Sequence, residues 1–179
     1  MHDSPTSYQA QDQFAVSVSN RQSRHAVDER QLISAVRYVL NASDFSSANV
    51  SVAIVDDRTV HELNCRYLDH DWPTDVLSFV LEDDGDHLEG EIVVSADTAA
   101  ASAAEIGWPS AAELLLYVIH GALHLVGYRD KSPADTRKMQ AAEARILRQF
   151  GLEQPRASSD SRHANRTSRR PARRGAKLR

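Results

Sequence analysis

The apolar run Leu114-Leu115-Leu116-Tyr117-Val118-Ile119, followed directly by His120-Gly121-Ala122-Leu123-His124, constrains this chain more than any other segment. A run this apolar has no polar face to show to water, so it predicts a buried helix. Pro109 suits the first turn of that helix and Gly127 its end. The helix therefore carries two imidazoles four residues apart, stacked on one face with Cβ atoms roughly 5–6 Å apart. Two neutral imidazoles at that separation close on one divalent ion. The plain alternative is a pair of core histidines bonded to backbone carbonyls. The i, i+4 pairing, the helix-ending glycine and a carboxylate three residues beyond it favour the metal.

Two histidines do not complete a site. A catalytic zinc centre takes three protein ligands and leaves a fourth position open. Asp130 is the nearest third ligand, because Gly127 turns the chain back and a carboxylate three residues later returns to the metal. Two histidines and a carboxylate suit zinc, and also iron, nickel or manganese. The spacing matches the zinc-protease helix H-E-x-x-H, but residue 121 is Gly. Such proteases need that Glu as general base, which counts against a minimal peptidase. Gly121 instead lets something approach the helix closely, either substrate backbone or a neighbouring strand.

Around this helix the pattern mixes strands and helices. Phe14, Val16 and Val18 alternate with polar neighbours as a strand does. Asp28 caps a helix whose apolar face is Leu32, Ile33, Val36, Tyr38, Val39 and Leu40. Val50, Val52, Ile54 and Val55 form a second strand, and Asp57 to Leu68 reads as a helix. Pro73-Thr74-Asp75 punctuates a loop before the strand Val76 to Val80. Glu82 to His87, with Gly85 inside, predicts a hairpin turn into the strand Glu91 to Ser95. Ala96 to Ile106 is an Ala-rich helix stopped by Gly107, and Pro133 opens a last helix burying Met139, Ala142, Ile146 and Leu147. This is an α+β or mixed α/β arrangement, one domain with helices packed on a sheet.

Charge divides the chain. Residues 156–179 hold nine Lys or Arg against one acid, Asp160, while the remainder holds twelve basic and twenty-four acidic residues. Residues 1–12 are expected to be disordered, 13–154 to fold, and 155–179 to form a basic disordered tail. The acidic body argues against broad, charge-driven nucleic-acid binding, while the tail suits contact with polyanions. Cys65 is the only cysteine, so no internal disulfide and no Cys-based zinc site is expected. No apolar run approaches the roughly 18–20 residues of a membrane span, and no secretory signal is visible.

Three segments resemble the YbeY family of bacterial rRNA-maturation endoribonucleases. They are Leu63-Asn64 followed by Asp71-Trp72-Pro73-Thr74-Asp75-Val76-Leu77-Ser78-Phe79; Gly90-Glu91-Ile92-Val93-Val94-Ser95; and His120 through Gly127-Tyr128, with Met139 further on. They lie in the family's order and spacing across roughly residues 14–150. The resemblance implies a single α+β domain with a mixed sheet, and one metal ion, taken as Zn²⁺, held by three ligands on a central helix. It implies a metal-dependent cut in single-stranded RNA, in maturation of the 3′ end of small-subunit ribosomal RNA and in ribosome quality control. The expected partners are ribosomal RNA and the small subunit, with no DNA and no membrane, in the cytoplasm.

Two departures accompany the resemblance. The family continues Gly-Tyr-Asp-His, with that His as third ligand, where this chain reads Gly127-Tyr128-Arg129-Asp130. Asp130 thus stands in the third ligand's position, and metal binding should survive with altered affinity and preference. Leu68 stands where the family usually has an RNA-contacting Arg, so Arg66 and His70 are the candidate substitutes. Thr74, Asp75 and Ser78 lie where the family cleft is lined, although Thr74 and Asp75 can equally close a turn after Pro73. No general base is evident beyond a metal-bound water. The competing readings are a metallohydrolase of another class and a non-catalytic ribosome-associated protein with a structural metal.

Overall fold

The computed structural model describes residues 13–68, 74–153 and 155. Its elements run β1 (Phe14–Asn20), α1 (Glu29–Asn41), β2 (Ser47–Val55), α2 (Asp57–Leu68), β3 (Val76–Asp83), β4 (His87–Ser95), α3 (Ala96–Ile106), α4 (Ser110–Leu125) and α5 (Pro133–Gln149). The strands form one mixed sheet in the order β1-β2-β4-β3. β1, β2 and β4 are parallel, and β3 returns antiparallel to β4 as an edge strand with an irregularity between Val80 and Glu82. The expected α+β domain with a mixed sheet is therefore what the chain builds.

Alternation along the central strands assigns the helices to the two faces. Val50, Val52 and Ile54 of β2 and Leu88, Ile92 and Val94 of β4 enter the main core with α1, α4 and α5. Ala53, Val55, Leu77 and Val93 point the other way and pack with Val60 of α2. Both inner strands are thus covered on both sides, which explains their unbroken apolar endings.

From Ala112 to Leu125, every residue of α4 except His124 is buried. Each buried Leu or Ile there contributes roughly 1.5–3 kcal/mol of transfer free energy. Gly121 allows this helix to lie close on β3 and β4. A Cβ at that position would stand 2.9 Å from Ile92 Cγ2, 2.9 Å from Ser78 Oγ and 3.2 Å from Val76 Cγ2. Of the two possibilities for Gly121, the neighbouring strand is the one realised.

Several boundaries differ from those expected. The turn is shorter than Glu82 to His87, because β3 runs through Asp83 and β4 begins at His87. Glu82 pairs with Glu89 and Asp83 with Leu88, so backbone pairing carries residues whose polar side chains suggested a turn. Pro109 is the cap before α4 and lies outside its first turn, and the helix stops at Leu125, two residues before Gly127. Residues 1–12 and 156–179, for which disorder was expected, lie outside the described residues, as do His70 and Trp72.

Gly121→Ala should lower the unfolding free energy by on the order of 1 kcal/mol. Overpacking at about 1–3 kcal/mol outweighs a helix-propensity gain of about 1 kcal/mol. Urea unfolding of the variant against the parent measures this, and an unchanged midpoint would mean the helix–sheet spacing yields freely.

Candidate metal centre

His120 and His124 occupy the last turns of α4, one buried and one at the boundary with solvent. Gly127 follows the helix at φ 90, a left-handed conformation that side chains disfavour. Its amide donates to the His124 carbonyl, and the Tyr128 amide donates to the Leu123 carbonyl. This turn reverses the chain and brings two groups back to the helix end. The Tyr128 carbonyl lies 2.9 Å from His124 Nδ1, and Asp130 Oδ2 lies 3.9 Å from His124 Nε2. Ligand atoms of His120, His124 and Asp130 all fall within 4.8 Å of one another.

The hydrogen-bond partners determine what the two imidazoles present. A carbonyl only accepts, so His124 Nδ1 carries the hydrogen toward Tyr128 and leaves a lone pair on Nε2. His120 Nδ1 lies 2.6 Å from Glu143 Oε1, and an ionised carboxylate imposes the same tautomer. The two Nε2 atoms then face each other at 2.9 Å. Two lone pairs in that position repel unless a cation lies between them. The donor set of two neutral imidazoles and one carboxylate fits a divalent metal. The rings cross at 86° with their centroids 4.5 Å apart.

α5 forms the second wall. Glu143 holds His120 from its buried face, and Thr136 Oγ1 donates to the backbone carbonyl of Asp130 at 3.1 Å. Ser132 caps α5 by accepting from the Asp135 amide at 3.1 Å, so the loop carrying Asp130 runs straight into an anchored helix. Burying an unpartnered carboxylate costs of order several kcal/mol; the His120 contact offsets this for Glu143.

The other residues singled out from sequence divide clearly. Ser78 Oγ donates to the Gly121 carbonyl at 3.1 Å, which ties β3 to α4 behind the histidines. Thr74 Oγ1 lies 3.3 Å from both Asp75 Oδ1 and the Val76 carbonyl, and Asp75 Oδ1 accepts from the Val76 amide. These bonds close the turn that starts β3. Asp75 also acts electrostatically on Tyr117, one turn before His120. Burial pushes the Tyr117 phenol well above its ordinary range, and the Asp75 and Glu113 charges add to this. Tyr117 therefore stays protonated, and its hydroxyl donates to Ser102 Oγ at 2.9 Å. Arg66 is exposed on α2, the helix covering the opposite sheet face. Tyr128 is half-buried against the core. Glu143 was not foreseen, although an acid on the buried face of a helix was a readable signal.

A sequence model described as Endoribonuclease YbeY matches residues 17–151. An Endoribonuclease YbeY from Syntrophotalea carbinolica is 38% identical over 139 residues, covering 74% of this chain and 93% of its own length. One from Moorella thermoacetica is 38% identical over 152 residues, covering 76% and 97%. One from Rhodopirellula baltica is 43% identical over 114 residues, covering 63% of this chain and 59% of that relative. A solution structure of a Thermotoga maritima protein superposes with a TM-score of 0.52 at 25% identity, covering 83% of this chain and 98% of that one.

His124→Ala should abolish stoichiometric divalent metal in the purified protein while leaving the thermal midpoint within a few degrees. Elemental analysis beside a melting curve checks this, and full metal content in the variant would move the centre elsewhere.

Proposed function

This chain belongs to the YbeY endoribonuclease family, and from that membership we propose that it is a metal-dependent endoribonuclease cutting single-stranded RNA. Its place is the maturation of the 3′ end of small-subunit ribosomal RNA and ribosome quality control, in the cytoplasm. The observation that carries the reading is the convergence of His120 Nε2, His124 Nε2 and the Asp130 carboxylate on one point.

His120, His124 and Asp130 are the residues that would hold the ion, and we take zinc as that ion. Bound there, a divalent cation would polarise a phosphoryl oxygen and acidify a coordinated water, which is what phosphodiester hydrolysis requires. Asp130 in place of an imidazole leaves the centre one unit less positive, which shifts preference toward harder divalent ions. Glu143 and the Tyr128 carbonyl orient the rings so that both lone pairs stay on the ion side. Charge builds on non-bridging oxygens as the phosphodiester is cleaved, so cationic groups beside the cleft add stabilisation. With Leu68 at the family's Arg position, Arg66 and His70 are the substitutes the sequence offers, Arg66 on the helix that covers the opposite sheet face. The nine basic residues of 156–179 give the RNA backbone a further electrostatic contact. Gly121 supplies no general base, so a peptidase reading lacks its proton carrier.

A strong chelator should abolish cleavage of a single-stranded small-subunit RNA fragment by the purified full chain, and added zinc should restore it. Cleavage indifferent to chelator would overturn the metal-dependent reading. Asp130→His should raise zinc affinity about tenfold or more, and Asp130→Ala should lower it, both read by competition with a chromophoric chelator. Metal content unaffected by Asp130→Ala would place the third ligand elsewhere.

A further inference from the structure

Glu143 is the one charged residue on the buried face of α5, set among Met139, Ala142, Ile146 and Leu147. An aliphatic side chain would pack there with no charge to desolvate. The carboxylate that stands there instead is aimed at one group, with Oε1 2.6 Å from His120 Nδ1 and both side chains about nine-tenths buried. The two imidazoles are thus held unequally. His120 leans on a carboxylate, and His124 leans on the neutral carbonyl of Tyr128.

We infer that Glu143 is a positioning residue for the metal, one that fixes His120 as its Nδ1–H tautomer and holds its ring in place. This rests on the reading of His120, His124 and Asp130 as the metal ligands. A ring N–H donated to a carboxylate raises the donor strength of the opposite nitrogen and prevents the ring from turning. Glu143 also adds the second negative charge of the centre. With Asp130 in the third position, two carboxylates stand at the centre, Glu143 buried and Asp130 partly exposed. α5 serves both ends of this arrangement, since Thr136 from its first turns bonds the Asp130 backbone.

The test compares Glu143→Gln with Glu143→Leu in the full chain. Glu143→Gln keeps an acceptor oxygen for His120 and removes the charge; Glu143→Leu removes both. Zinc affinity is measured by chelator competition, and the His120 tautomer by ¹⁵N NMR of the metal-free protein. Thermal melting reports the fold. The expected result is a loss of about tenfold for Glu143→Gln with the Nδ1–H tautomer kept, and of about a hundredfold for Glu143→Leu with the tautomer no longer fixed. A merely structural residue would change the melting curve and leave the tautomer of a folded variant alone. Wild-type His120 protonated at Nε2, or a folded Glu143→Leu variant with wild-type zinc affinity, overturns the inference. If Glu143→Leu does not fold, unchanged affinity in Glu143→Gln overturns it. Wild-type protein that binds no divalent ion would overturn the metal reading itself and this inference with it. Zinc bound equally by wild type and both variants overturns only the role of Glu143.

Discussion

The seating of α4 on the sheet is the contact from which the rest of the site follows. Gly121 lies with Ile92, Val76 and Ser78 so close that a methyl group has no place, and the Ser78 hydroxyl bonds its carbonyl. This fixes the rotation of the helix about its own axis. With Gly121 turned to the strands, His120 and His124 must share an adjacent stripe, facing the loop after the helix and the flank of α5. A helix free to roll by a residue would present the same two imidazoles to different neighbours, and neither the Tyr128 carbonyl nor Glu143 would meet its ring. The neighbours of the two imidazoles are therefore set by how α4 packs on the sheet.

Local periodicity read the long elements well. α2 and α3 begin and end where their apolar and capping residues indicate, and Asp28 caps α1 by accepting from the Gln31 amide. The strand ends around the β3–β4 turn were less legible, because Glu82 and Asp83 enter the ladder through their backbones while their side chains look like turn residues. His120, His124 and Asp130 came from spacing alone, since a helix and a tight reversal leave few places for the third group. Ser78, Thr74 and Asp75 were visible as polar residues at a cleft position, but their hydrogen-bond partners depend on how α4 and β3 meet. Glu143 was readable as an acid on the buried face of α5, but its partner His120, 23 residues away, depends on how α5 lies against α4.

Open sheets with parallel strands commonly place ligands beyond the carboxyl ends of those strands. Here that end is a cavity lined by the protein's own charged side chains, among them Arg24, His25, Asp57 and Asp97. His25 Nε2 lies 3.0 Å from Asp97 Oδ1, and Arg24 reaches the other oxygen at 3.4 Å. Asp57 accepts from the hydroxyls of Ser95 and Thr98, joining the starts of α2 and α3. The connection between β1 and α1 is thereby tied across to α3. The candidate metal centre lies elsewhere, at the end of α4, the helix seated on β3 and β4.

That placement puts the centre beside an edge strand, and the irregularity between Val80 and Glu82 then takes on a protective meaning. Val80 and Leu81 are exposed, a pair of aliphatic residues on a strand with a row of backbone groups turned outward. An uninterrupted ladder there would template pairing with a second molecule. The ladder is broken between Val80 and Glu82, the kind of irregularity that increases local twist, and Glu82, Asp83 and Asp84 follow with negative charge. A break in register and three acids at an exposed aliphatic edge are features that disfavour edge-to-edge pairing between molecules.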